Sequence, residues 1–347
     1  KSNCSDVSQV TSGLDARFFD HRLSFTFDWY HKKTKDWLVQ APVLASYGTA
    51  APYINGGDVV NKGVELSLGW RDNINDFNYS ALINLSHNKN EVTRIANTEK
   101  IIHSGVRLGN VASEFARAEE GYPIGYFYGY QTDGLFQTPE DVQNYKNSEG
   151  VVIMPNALPG DVRFVDRNDD GIIDDKDKTM IGKSNPDYNL GINLNMSYKG
   201  FDLTLVASGV FGNDILRAYR MPDSPSQNYT SEILGRWTGP GTSNSIPRIS
   251  SGNHINRSYI SDLYLEDGSY VRMSNVTLGY DFKKLWKSLP FEQVRFYISA
   301  QNLFTITGYS GMDPEIGTST GENWISGVDF GFYPTPRTFM VGASIKF

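Results

Sequence analysis

Phe339-Met340-Val341-Gly342-Ala343-Ser344-Ile345-Lys346-Phe347 ends the chain, and its parity decides the fold. Phe339, Val341, Ala343, Ile345 and Phe347 fall on one side of an extended segment, and Met340, Gly342, Ser344 and Lys346 on the other. Successive side chains of a strand point to opposite faces, so one face is apolar and the other small or polar. A single such strand is ordinary. Here the pattern recurs. Leu23, Phe25, Phe27 and Trp29 alternate with Ser24, Thr26, Asp28 and Tyr30. Val64, Leu66, Leu68 and Trp70 alternate with Glu65, Ser67 and Gly69. Leu190, Ile192, Leu194 and Met196 alternate with Asn189, Gly191, Asn193 and Asn195.

The pattern predicts antiparallel strands over 13–19, 23–30, 63–70, 77 to about 92, 188–197, 201–211, 269–280, 293–303 and 339–347. Most match the ~9–11 residues that carry a tilted strand across a bilayer. A soluble sandwich also alternates. Two features favour an all-β, transmembrane antiparallel barrel in a bacterial outer membrane. The faces opposite the apolar rows carry Asn, Ser, Thr, Asp and Gly, which suit a wet lumen. The connections also fall into short and very long classes, as in barrels with short periplasmic turns and long outer loops.

Composition agrees. The 347 residues are 39% hydrophobic and 13% aromatic, and the 33 glycines suit many turns. No apolar run reaches the ~18 residues of a membrane helix, which says nothing against a barrel whose strands meet lipid at every second residue. The net charge of -7 argues against a nucleic-acid partner. The single cysteine, Cys4, excludes an intrachain disulfide framework. No signal peptide is seen, and the chain reads as the C-terminal portion of a longer polypeptide.

Parity orients the strands. With the turns at Asp20-His21-Arg22, 71–76, 198–200 and 281–292 on the periplasmic side, the stretches 31–62, 94–187, 212–268 and 304–337 are extracellular, and the C-terminus is periplasmic. The excursion 94–187 must then begin and end on the outer side, so the strand-like Gly125 to Gln137 is not a membrane crossing. About nine crossings follow. That odd count implies earlier strands, since single-chain bacterial barrels have an even number. Trp29, Tyr30 and Trp37 lie at one outer strand end and Trp70, Phe77 and Trp286 near the inner turns. Both places suit rings at a membrane–water boundary, and packing among loops would equally explain Trp37 and Trp286.

One segment carries sharp chemistry. In Asp166-Arg167-Asn168-Asp169-Asp170-Gly171-Ile172-Ile173-Asp174-Asp175-Lys176-Asp177, oxygen side chains fall at loop positions one, three and five: Asp166, Asn168 and Asp170. Gly171 takes the sharp turn at six, Ile172 offers its carbonyl at seven and Asp177 stands at twelve. This is the spacing of a structural calcium loop, with Asp177 where Glu is usual. A solvated acidic turn uses the same residue types. Gly182-Lys183-Ser184 lacks the earlier glycine of a phosphate loop, and the five histidines show no metal spacing. No acid/base pair is identifiable, so the chain is not read as an enzyme.

Several segments together resemble the C-terminal barrel of the SusC/RagA family of TonB-dependent outer-membrane transporters. They are Gly13-Leu14-Asp15-Ala16-Arg17-Phe18-Phe19, Arg22 to Thr34, Asn61-Lys62-Gly63-Val64-Glu65-Leu66, Gly125 to Tyr130, Thr132-Asp133-Gly134 and Gly160-Asp161 with the acidic loop. Tyr198-Lys199-Gly200-Phe201-Asp202-Leu203, Tyr270-Val271-Arg272, Ala300 to Phe304 and Tyr333-Pro334-Thr335-Pro336-Arg337 continue the series. The resemblance implies a 22-stranded barrel of which this chain holds the last nine or so strands, closed around an N-terminal plug domain that matches nothing here. It also implies import of oligosaccharides, other glycans or peptides, powered through TonB, beneath a SusD-like lipoprotein.

Loop aromatics that would stack on a substrate are Tyr47, Tyr53, Tyr219, Trp237, Tyr259, Trp324 and Tyr333, although loop packing or contact with the lipoprotein lid explains each of them better. Two other functions remain open at this point: a passive porin-like channel, and a soluble or surface calcium-dependent glycan-binding β protein.

Overall fold

The structure is a computed structural model that describes residues 5–40, 48, 53–106, 108, 114–220, 228–250, 254–317 and 322–347. Four long strands come first: β1 (Asp6–Phe18), β2 (Leu23–Gln40), β3 (Tyr53–Ile74) and β4 (Phe77–Ile95). Six short ones follow: β5 (Ile101–His103), β6 (Ala116–Glu119), β7 (Tyr126–Gly129), β8 (Thr132–Leu135), β9 (Val162–Phe164) and β10 (Thr179–Gly182). Next are β11 (Tyr188–Tyr198), β12 (Phe201–Phe211), β13 (Asp214–Arg217), β14 (Leu265–Asp267), β15 (Tyr270–Asp281), β16 (Gln293–Thr307), β17 (Val328–Asp329) and β18 (Thr338–Lys346). Two short helices, α1 (Pro139–Asn144) and α2 (Ile255–Ser258), lie between strands.

Nine of the strands form one antiparallel sheet in the order β1-β2-β3-β4-β11-β12-β15-β16-β18. The crossings expected from parity are these nine. The turns at one end of the sheet are short for local reasons. Lys199 and Gly200 have φ of 45 and 95, the left-handed pair that matches the twist of a two-residue hairpin. The excursion leaves β4 at Ile95 and rejoins the sheet at Tyr188, whose strand lies directly beside β4. The stretch from Gly125 to Gln137 contributes β7 and β8, which pair in separate small sheets rather than crossing.

Register stitches the alternating rows into one surface. Leu14 pairs with Phe27, Phe27 with Leu66, Leu66 with Leu85 and Leu85 with Leu190. Farther along, Leu203 pairs with Leu278, Leu278 with Ile298 and Ile298 with Val341. Leu14 is 60% exposed, Ile298 56% and Val341 84%. None of Leu23, Phe25, Phe27, Val64, Leu66, Leu190, Ile192 or Leu194 is buried. A soluble sandwich would hide these rows against a second sheet. A face this large and this apolar calls for lipid.

The opposite face is polar and bonded to itself. Thr26 donates to Asp15 at 2.6 Å, Thr204 to Asn195 at 3.0 Å, and Arg295 reaches both Asp202 oxygens at 2.8 and 2.5 Å. Leu82 and Val206 interrupt it, flanking Asn193. Rings gather at the short-turn end of the sheet. Phe201 lies 4.5 Å from Tyr280, Tyr280 5.1 Å from Phe282, and Phe282 5.5 Å from Trp286.

The stretch 31–62 departs from the long-loop expectation. β2 continues to Gln40 and β3 starts at Tyr53. The 22 residues of β3 span roughly 70 Å at ~3.3 Å per residue, over twice the ~30 Å of a hydrocarbon core. The charges at Lys32, Lys33, Lys35 and Asp36 concealed this extension in the sequence. Two of them are paired across the strands: Asp58 is bound by Lys33 at 3.3 Å and Arg94 at 3.0 Å, and Arg94 also reaches Asp36 at 2.8 Å. Val59, Val92 and Ile95 in the extended part pack with Ala118, Ile102, Ile124, Trp37 and Trp324. The buried apolar residues therefore concentrate beyond the sheet's long-loop end, not within its crossing part.

Candidate functional site

The three excursions at that end share one core. Phe115 and Phe127 come from the first, Leu216 and Ile260 from the second, and Ile325 and Val328 from the third, and all are buried together. Backbone pairing reinforces the contact. β13 pairs antiparallel with β14 and parallel with β17, and Tyr130 N–H donates to the Ile260 carbonyl at 2.9 Å. Loops that bury their own apolar core present fixed surfaces rather than independent tails.

The aromatic candidates divide. Tyr47 lies outside the described residues. Trp237 packs against Gly160, where a Cβ would meet the indole at 2.4 Å, and its Nε1 donates to Gln137 at 3.1 Å. Tyr259 stacks on Tyr130 with centroids 4.4 Å apart and meets Phe164 edge-on. Trp324 lies edge-on to Trp37 and packs against two of the loop cores. All three remain partly exposed, with one side of each ring taken up by loop packing. Tyr53 and Tyr333 are well exposed, and Tyr219 is half-buried.

The acidic loop is wound around its own amides. Asp166 accepts from the N–H groups of Asp169 and Gly171, each at 2.8 Å. Asp177 is fully buried and accepts from Arg167 and Asp174, also at 2.8 Å. Asp170 accepts from Ile172 N–H at 3.1 Å and faces Lys176 at 3.3 Å. Gly171 has φ of 82, as the sixth position of a cation loop requires. Among the described residues no three acidic or histidine side chains are gathered at one point. The donor set is nonetheless the oxygen-rich kind that a hard cation takes, and each amide bond leaves a carboxylate oxygen with a further lone pair.

Buried ion pairs escaped the sequence. Asp161, with no exposed surface, accepts from Arg248 Nε at 2.6 Å and Nη2 at 3.2 Å, and from Asn256 Nδ2 at 2.9 Å. This joins the first excursion to the second. Arg272, on β15, reaches Asp313 at 2.5 Å and Glu315 at 2.6 Å. Asp313 also accepts from the Glu315 and Thr335 amides, and these bonds hold its carboxyl below the usual range despite burial that pushes the other way. Arg217 pairs with Glu266 and, at 3.4 Å, with Glu232. Partners tens of residues apart leave no local signal. Only Gly160-Asp161 and Tyr270-Val271-Arg272 stood out beforehand, as motifs without a role. The second excursion borders a half-open cavity of about 530 Å³ lined in part by Tyr219, Tyr229 and Arg217.

Three comparisons bear on this arrangement. A family model described as TonB dependent receptor-like, beta-barrel, matches residues 7–303. TonB-dependent receptor P3 of Formosa agariphila is 32% identical, over 98% of this chain and 34% of its own length. TonB-dependent receptor SusC of Bacteroides thetaiotaomicron is 29% identical, over 97% of this chain and 31% of its own. Among solved structures, the RagAB peptide transporter superposes with a TM-score of 0.76 at 24% identity, covering 98% of this chain and 35% of that one. The chain spans about a third of the length of the curated relatives it matches.

Proposed function

Because the chain belongs to the TonB-dependent receptor β-barrel family, we propose that it serves in a SusC/RagA-type outer-membrane importer of oligosaccharides, other glycans or peptides. The observation that carries this reading is the unburied apolar face joined by register across nine strands, backed by a polar face. The remaining strands of a 22-stranded barrel would pair with β1 and β18, the outermost strands of the sheet. A plug in the preceding polypeptide would fill the lumen and contact TonB. The short turns would then face the periplasm and the joined excursions the outside, where a SusD-like lipoprotein closes over them. This is transport and not enzymatic turnover.

The acidic loop has a structural part in this proposal. Asp166, Asn168, Asp170, Asp177 and the Ile172 carbonyl would hold calcium, which supplies a rigid charged hub and no reaction step. The spacing and the left-handed Gly171 support it.

The test is uptake by cells carrying the intact receptor. Import of glycan or peptide should vanish when TonB is deleted or the lipoprotein removed. Accumulation that persists without TonB would instead mark a passive channel, and recovery of the receptor in the soluble fraction would mark a surface binding protein.

A further inference from the structure

At the long-loop end of the sheet, the apolar face runs into cations on three neighbouring strands. His31, Lys62 and Lys89 each lie four residues along their strands from Phe27, Leu66 and Leu85, so parity sets them on the same face. Register makes them direct neighbours: His31 pairs with Lys62, and Lys62 with Lys89. Both lysines are exposed and His31 is half-buried. Like charges opposite one another on adjacent strands repel. Lys89 is met by Glu91 at 3.3 Å, while no described carboxylate bridges Lys62. Asp58 and Asp36, farther along, are taken by Lys33 and Arg94. Elsewhere at that end the same face closes on Phe211, Val271 and Ile306, so the cations occupy one sector of the sheet.

Two observations put this sector at a membrane boundary. Lys62 and Lys89 are each twelve residues from the turn that joins β3 at Ile74 to β4 at Phe77. At ~3.4 Å per residue and a tilt of ~40° that is a rise of roughly 31 Å, about one hydrocarbon thickness. One step inward on the same face, Trp29 pairs with Val64 and Val64 with His87, whose ring centroid lies 4.8 Å from that of Tyr188. Trp29 is 42% exposed and Tyr188 45%. Exposed rings at this depth suit the headgroup level. A lysine just beyond them lays its stem along apolar surface and holds its ammonium among the headgroups.

We propose that His31, Lys62 and Lys89 dock the anionic phosphate of an outer-leaflet lipid, whose acyl chains lie along the rows of Trp29, Phe27, Leu66 and Leu85. The proposal rests on the membrane reading and adds a bound lipid to it. The phosphate supplies the counter-charge that Lys62 lacks and relieves the repulsion between the two lysines. An acidic protein would meet the cations, but it would not cover the apolar rows that continue directly beneath them.

The experiment uses the purified intact receptor, delipidated in a neutral detergent and titrated with dioleoyl phosphatidic acid or dioleoyl phosphatidylcholine, with bound lipid counted by native mass spectrometry. Phosphatidic acid should be retained in preference. A lysine near an anionic surface is worth about a fivefold change in affinity, so Lys62→Gln and Lys89→Gln should each weaken that preference about fivefold and together about thirtyfold. Heat-modifiable gel migration should stay native in all of them. The Lys62→Arg/Lys89→Arg double variant should keep the preference, and so should Lys199→Gln at the short-turn end. Equal retention of the two lipids, or an undiminished preference in the folded double glutamine variant, overturns the site. Displacement of the lipid by inorganic phosphate at matching concentration would mark a free-ion site and overturns it too. Failure of the membrane reading looks different, because the receptor would then stay in solution without detergent.

Discussion

Placing a lysine on each face of β11 tests the facing of the whole sheet. The strand has 11 residues, Tyr188–Tyr198. At ~3.4 Å per residue and a tilt of ~40° it rises roughly 28 Å, close to one hydrocarbon thickness. Leu194 lies four residues from the turn end, which puts it roughly 10 Å up and within about 4 Å of the midplane by the same geometry. Its cross-strand neighbours are Ala81 and Leu205, so no carboxylate is at hand to pair with an introduced charge. Leu194→Lys should therefore cost about 2–4 kcal/mol, the midplane value for a lipid-facing lysine. That is roughly a 30- to 700-fold loss in the folding equilibrium. Tyr198→Lys, on the same face beside the turn, should cost no more than about 1 kcal/mol because depth has fallen to the interface. Asn195→Lys is adjacent to Leu194 in sequence but points to the polar face, between Ser80 and Thr204. It should be near neutral. The assay is urea titration of the intact receptor in thin-bilayer vesicles, read by heat-modifiable migration. If Asn195→Lys proves as damaging as Leu194→Lys, the faces are assigned wrongly and the membrane reading goes with them.

Three further perturbations probe the loop assembly. Asp313→Ala leaves Arg272 with the exposed Glu315 as its carboxylate partner and frees two amides; an unpaired buried group costs about 1–3 kcal/mol, so hydrogen exchange across 308–317 and 322–337 should accelerate about tenfold or more, and unchanged exchange would show that Asp313 does not latch the third excursion. His103 lies 2.9 Å from Glu114 and 3.1 Å from Glu99. Burial opposes its protonation, but the two carboxylates outweigh it and raise its pKa. The stabilisation is therefore complete below the ordinary histidine value of about 6.5 and is lost as pH rises through the higher folded value. Proteolysis near β5 and β6 should quicken over that alkaline step, and His103→Gln should abolish the step; an identical pH profile in the variant would dismiss the mechanism. Chelation of divalent cations should raise protease sensitivity across 94–187 and added calcium should restore protection, whereas cleavage indifferent to chelator would remove the structural role of the acidic loop.

The strands were legible because their signal is local and repeats. Leu23 to Tyr30 states its two faces within eight positions, and the register from Leu14 through Phe27, Leu66 and Leu85 to Leu190 only joins statements each strand has already made. Chain parity also excluded Gly125 to Gln137 as a crossing, though that segment alternates well. The halves of β2 and β3 at the sheet's long-loop end were not legible. Their charges read as loop until Lys33 and Arg94 are seen paired with Asp58 and Asp36. Charge in an outer strand extension is cheap once paired, and pairing partners on neighbouring strands are set by register, which no single window contains.

The same physics explains why the loop site was largely invisible. Aromatic content named Trp237, Tyr259 and Trp324 without deciding between substrate and loop packing, because a ring's availability depends on what else arrives. Gly160 meets Trp237, Tyr130 covers Tyr259, and Trp37 abuts Trp324. A loop assembly of this size needs a core of its own, since unsupported loops do not hold a fixed shape, and its largest rings are the natural filling. Tyr219 and Tyr229 stand at the margin of that assembly, near Arg217, whose carboxylate partners lie in its own excursion, and Arg248, whose partner Asp161 comes from another. A substitution that loosens Asp161 or Arg248 should therefore speed hydrogen exchange where the first and second excursions meet, because it removes the buried pair that joins them.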